Sequence, residues 1–393
     1  MFTVVALCIQ LALTGAVMEP NISPNAKPEA KIETKIETNM QNEMEQDTEE
    51  TLLEAISFLE IQNILEHILR EDEVGFQELV VQLINGERSI SEITGEEISK
   101  CLTEGFAIDK QEFSYLFLLA VSASVFSVFA DALKDRQISD TWFYIIYMMA
   151  GVLVFRAFWE VMDYSVWSAE SLSSFMQALI PAYALSVTMA VGPCSGAGFY
   201  QCTLILISLL STVIQHLVLP MIKAYVVLKI LNHISEEDVL SKLTGLFAGG
   251  VKWLMKTTMA TLVGFQVIQS MLAPAIDSLK NKSINKTIAA IPGIGSAAGA
   301  VTELLLGSAV LVKNGIGTAA IIVVLLICIP PLLKMALFTV SYTVIAAVIQ
   351  PVADKRFTGC ISAAAEGGCL LFQSTAMMAG MFMISIALVA LRG

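Results

Sequence analysis

Residues 329–338 read IPPLLKMALF, and residues 218–226 read VLPMIKAYV. Pro331 and Lys334 stand at the same spacing as Pro220 and Lys223, and each lysine interrupts a long apolar run. A lysine at the centre of a bilayer costs about 2.5–3.5 kcal/mol, so it faces protein or water, or its stem reaches toward the headgroups. The same offset of 111 residues pairs Ile180-Pro181 with Ile291-Pro292 and Gly196 with Gly307. The pattern predicts a duplicated core, 180–290 and 291–393, with helices broken at Pro220 and Pro331. Duplicated halves with breaks at matching positions suit carriers and channels that build a site at the membrane midplane.

Working outward, the composition is that of a membrane protein: 55% hydrophobic and only 15% charged over 393 residues, with mean hydropathy +0.71. The net charge of −13 is unevenly divided. Residues 19–112 hold 23 acids against 7 bases, whereas residues 113–393 hold 13 acids against 16 bases. The two regions are therefore expected to meet different solvents.

Residues 1–17 form an apolar stretch suited to a signal peptide or an N-terminal anchor. Residues 18–50 carry the direct repeat KIETKIET and few large apolar side chains, the composition of a flexible acidic linker. From Thr51, leucines and isoleucines at steps of three and four predict amphipathic helices over 51–112, a small acidic module. Its apolar stripes, with Leu65 and Ile68 among them, are expected to dock on a partner.

Runs long enough to cross a bilayer occur at 113–130, 142–162, 175–191, 199–219, 243–272, 291–312, 317–352 and 368–391. The fold class read from them is an all-α polytopic membrane protein of seven or eight transmembrane helices, preceded by an exported acidic module. Residues 113–170 supply the first two crossings. Basic loops at 134–136 and 280–286 are placed inside and the acidic module outside by the positive-inside tendency. Glu303 and Glu366, each flanked by small residues, join Pro220, Lys223, Pro331 and Lys334 as candidate pathway or helix-break residues.

The seven cysteines are scattered without metal-site spacing, and the three histidines are isolated from one another. The sequence also lacks the GxxxxGK[ST] pattern of a phosphate-binding loop. No catalytic, cofactor or metal role is expected, and the chain reads as a non-enzyme.

At FLEIQNILEHILREDEVGFQELVVQLINGE, residues 58–87, and at QPVADKRFTG, residues 350–359, the chain resembles the stage III sporulation protein AE family. The second stretch supplies the family-like Pro351, Val352, Asp354 and Arg356. The resemblance implies a subunit of the channel, or feeding tube, that joins mother cell and forespore and is needed for forespore development. It also implies a multi-pass place in the mother-cell membrane around the forespore, with the N-terminal module exported. Ring proteins of the channel and a cytoplasmic ATPase are the implied partners, along with the bilayer itself and no nucleic acid. The duplicated core would equally serve an autonomous secondary transporter of a small solute. A membrane scaffold for the ring proteins is a third reading, in which the lysines are incidental.

Overall fold

A computed structural model describes residues 58–68, 75–84, several positions between 114 and 125, 136–191, 196–234, 240–288, 295–351 and 355–391. The described elements are helices: α1 Leu59–Ile68, α2 Phe76–Ile84, α3 Arg136–Val191, α4 Gly196–Val213, α5 Leu219–Ile234, α6 Ser241–Ile288, α7 Gly295–Ile349 and α8 Lys355–Leu391. A π-helical turn, Ile214–Val218, joins α4 to α5. Four stretches are long and apolar enough to cross a membrane: Ile145–Ala190, Cys202–His233, Gly307–Ile349 and Lys355–Ala390. These four are what the described residues show of the expected seven or eight, and most of the expected run 113–130 lies outside the described residues.

The difference lies in where helices break. The runs 142–162 and 175–191 belong to one 56-residue helix, because neither glycine nor proline occurs between Gly151 and Pro181 to end it. The expected break at Pro330-Pro331 is also absent, and α7 passes through both prolines. Leu326 and Ile327, a turn earlier, are buried between neighbouring helices, and that packing keeps the helix on course despite the lost hydrogen bonds. Pro220 does mark an irregularity. The π-helical turn just before it widens the ladder where the ring would otherwise meet the carbonyl of His216. Pro220 and Pro331 thus sit in different local structures, so the 111-residue offset is not matched by the helix boundaries.

Cross-helix contacts fix the register of the core. Along α3, Tyr164 lies against Lys334 of α7, and the Tyr183 hydroxyl is 3.0 Å from where a Cβ on Gly317 would stand. The same α3 places Ser165 against Thr375 of α8 at 2.9 Å and the Tyr183 hydroxyl against the Ile386 carbonyl at 3.4 Å. Contacts therefore rise together along α3 and α8 and fall along α7. The first two are parallel and α7 is antiparallel to them. Helix α5 runs antiparallel to α8, with Val226 against Gly367 and His233 against Gly359. Helix α6 runs antiparallel to α4 and α5, through Thr203 with Gln269 and Met221 with Gly250.

This register aligns the stretches that lack Asp, Glu, Lys and Arg: 171–191 on α3, 314–333 on α7 and 367–391 on α8. Twenty helical residues rise about 30 Å, the thickness of a bilayer's hydrocarbon. Only on this side of Lys334 do all three helices carry runs of that length. On the other side α8 has Lys355, Arg356 and Glu366 within a few turns. The long helices thus consist of one membrane-thick apolar layer and an extension of the bundle beyond it.

The N-terminal helices join the same core. Phe76 of α2 packs edge-on against Phe175 of α3 with centroids 6.3 Å apart, and Phe58 packs on Phe76 at 5.7 Å. The backbone N–H of Phe76 donates to Gln62 Oε1 at 2.9 Å, which ties α2 to α1. Ile61, Leu65, Phe76 and Val80 are buried in a cluster continuous with the long helices. Leu65, expected to dock on a partner, is thus already covered within the chain. The stripe is short, but α3 and α7 supply the surface it needed. Ile68 lies on α1 with its side chain outside the described residues, and residues 85–112 of the expected module also lie outside them.

Candidate functional site

Several charged groups of the described core gather at one edge of the apolar layer. Lys334 Nζ sits 4.0 Å from the centroid of the Tyr164 ring, and Lys223 Nζ sits 3.5 Å from that of Trp159. Both rings belong to α3, five residues apart, so α5 and α7 approach that helix from two flanks and lay an ammonium on each. Between the rings α3 exposes Glu160 and Asp163. An open hollow of about 410 Å³ lies against this face, lined by Phe155, Arg156, Trp159, Glu160 and Asp163. Lysines with tryptophan and tyrosine at the end of an apolar run are the usual furniture of a membrane interface.

The two lysines singled out from sequence are therefore brought within about two turns of one another on one helix, near the end of the shared uncharged runs. At a boundary the stem stays in apolar surroundings and the ammonium gains a ring face worth about 0.5–2 kcal/mol. Replacing Lys223 or Lys334 by Gln is accordingly expected to leave insertion intact and to lower the melting temperature of the solubilised protein by only a few degrees. A thermal melt of each variant checks this.

A second cluster lies just beyond that edge. Lys229 of α5 pairs with Glu366 of α8, the Tyr225 hydroxyl donates to Glu366 Oε2 at 2.6 Å, and Lys229 Nζ donates to the Tyr225 hydroxyl at 3.0 Å. Tyr225 and Lys229 are four apart, so one face of α5 presents both to a single carboxylate. Glu366 reaches them because the next two residues are glycines. A Cβ on Gly367 would stand 2.3 Å from Val226 Cγ2, and one on Gly368 would stand 2.7 Å from Phe338 Cδ1. The sequence reading singled out Glu366 and missed Lys229 and Tyr225. Their i, i+4 spacing after Lys223 was the available signal.

The other candidates are dispersed. Pro220 is exposed and Pro331 buried. Glu303 lies on α7 with its side chain outside the described residues. Pro351 is exposed after α7, Arg356 is half-buried in the first turn of α8, and Val352 and Asp354 lie outside the described residues. Lys313, passed over in the sequence, is wholly enclosed, and its Nζ has no hydrogen-bond partner among the described residues. It closes the far end of the uncharged run of α7, level with the last turns of α3 and α8, whose negative dipole ends favour a cation. Among the described residues no three His, Cys, Asp or Glu side chains converge as metal ligands would.

Helices of membrane length, a boundary belt of lysines, aromatic rings and carboxylates, and an ion-paired cluster beside it define a multi-helix membrane protein. The family model described as Stage III sporulation protein AE matches residues 74–393. The Stage III sporulation protein AE of Bacillus subtilis (strain 168) is 22% identical over 330 residues, covering 80% of this chain and 79% of that protein. The chain belongs to the stage III sporulation protein AE family, and its role is in sporulation. No solved structure matches it.

Proposed function

We propose that this protein is a membrane-embedded subunit of the sporulation channel between mother cell and forespore. The carrying observation is the family match over 74–393, which takes in all four membrane-length helices. In this reading the apolar layer sits in the mother-cell membrane around the forespore, and chemical energy comes from an ATPase partner on the cytoplasmic side. The remainder of the bundle, past the belt, is where the other subunits assemble.

The surface of that extension supports the assembly role. Beyond the belt α7 exposes Val340, Val344 and Val348 in a row, and α3 exposes Ile145, Met148 and Val152. Apolar stripes outside a bilayer are costly unless another protein covers them. The ring proteins of the channel are the occupants this reading assigns to them.

The test is recovery of the tagged full-length chain from sporulating cells, with its companions identified. Ring proteins and the ATPase are expected alongside the native chain. Val344→Lys is expected to cut that recovery at least tenfold while the protein stays in the membrane at normal level. Recovery of the native chain alone, with solute flux through liposomes containing only this protein, would replace the channel subunit with an autonomous transporter.

A further inference from the structure

Helix α6 presents an outer face that the belt and the ion-paired cluster do not use. From Ser241 to Ile276 it contains Lys242, Lys252 and Lys256 and no acidic residue. Lys252, Trp253 and Lys256 are exposed, Trp253 by 64%, and neither lysine takes part in an ion pair among the described residues. Past Lys256 the exposed face becomes apolar: Val263, Val267, Ile268 and Met271. On the side before it, Leu246 is also exposed.

The level of these residues follows from their neighbours. Gly250 lies under the Met221 methyl, and Gln269 bonds Thr203, so Lys252 and Lys256 stand beside Pro220 and His216. That is within about 10 Å of the level of Lys223 on Trp159, toward the uncharged runs, where they begin. Glu366 acts electrostatically on Lys252, but Lys229 and Tyr225 already hold that carboxylate. Two ammonium groups and an indole thus face outward where an apolar face ends, and neither lysine has an ion-pair partner among the described residues.

We infer that Lys252, Trp253 and Lys256 form a binding surface for anionic phospholipid headgroups, whose phosphates take the lysines while Trp253 lies at headgroup depth and the apolar face of α6 meets the acyl chains. Lysines near an anionic surface attract it by an amount equivalent to about fivefold in affinity each. Tryptophan prefers the interface because its ring is apolar and its N–H seeks water. The occupant is lipid and not a protein helix, because the charged end and the apolar run are continuous on one exposed face. A bilayer offers that order of surfaces along its normal.

The test uses the full chain in nanodiscs of phosphatidylcholine with a minority of phosphatidylglycerol. Association of each spin-labelled lipid with the protein is measured. Phosphatidylglycerol is expected to associate several-fold more strongly than phosphatidylcholine. The preference should fall at least fivefold in the Lys252→Gln, Lys256→Gln double variant and persist in the Lys252→Arg, Lys256→Arg variant. The portion of tryptophan fluorescence lost in Trp253→Phe should be quenched more by bromines near the headgroup than by bromines deep in the acyl chain. Equal association of the two lipids, a preference unchanged by the Gln pair, or deep quenching of Trp253 would each overturn the inference. None of these readouts depends on the channel function.

Discussion

Gly367→Leu is expected to leave almost no folded protein in the membrane. Helix α8 passes between α5 and α7 at this point, and the glycine pair is what lets it through. At Gly367 even a methyl would stand 2.3 Å from Val226 Cγ2 and 2.7 Å from Phe158 Cε2, and both side chains are fully buried. Neither neighbour has a free end to swing away. Overpacking by one methyl costs about 1–3 kcal/mol in a close-packed core, and a leucine adds three more carbons. Gly367→Ala should therefore lower the melting temperature clearly, and Gly367→Leu should abolish the folded peak in fluorescence-detected size-exclusion chromatography. Gly380, on the same helix, has nothing within 4 Å of an added Cβ, so Gly380→Ala serves as the control and should be near neutral. Equal behaviour of the two alanine variants would contradict the packing described.

The second large effect is expected at the ion pair that Gly367 positions. Lys229→Glu places two carboxylates side by side with the Tyr225 hydroxyl between them, and like charges at this range repel. The side chain of Glu366 is 53% exposed, so solvent screens the pair, and its loss is taken as about 1–2 kcal/mol, not the larger figure of a buried bridge. The single variant, and Glu366→Lys alone, should each lower the melting temperature and reduce spore yield. The double variant, Lys229→Glu with Glu366→Lys, restores opposite charges across α5 and α8 and should recover most of both. A double variant no better than the worse single would show that the two residues do not act through each other.

Much of this organisation was legible in the sequence, because burial in lipid leaves strong compositional traces. The helical fold and the apolar runs followed from where charges interrupt hydrophobic stretches, and Lys223, Lys334 and Glu366 stood out for the same reason. What misled was punctuation. Pro330-Pro331 read as a helix break, yet packed neighbours carry α7 through it, and no local pattern reports that support. Lys334 read from the sequence either as a pathway lysine or as one whose stem reaches toward the headgroups, and α7 stays uncharged on both sides of it, so sequence alone does not decide between them. Contacts with α3 and α8 set it near the point where the uncharged runs 171–191 and 367–391 begin. The N-terminal helices were legible as amphipathic, but the surface that covers Leu65 and Phe76 comes from residues about 100 and more than 200 positions later. The assignment to the channel complex came from resemblance and not from any motif that carries chemistry.

The position of the bilayer along α7 is the central claim, since the belt, the lipid surface and the assembly stripes all depend on it. It is tested most directly by single cysteines on α7 in a chain freed of its native cysteines, held in nanodiscs and exposed to a membrane-impermeant thiol reagent. Cysteines replacing Ile321 and Leu325 are expected to be protected, and those replacing Val340, Val344 and Val348 to react. A protected stretch centred on Lys334, with Val340→Cys and Val344→Cys unreactive, would put that lysine at the membrane midplane and contradict the account.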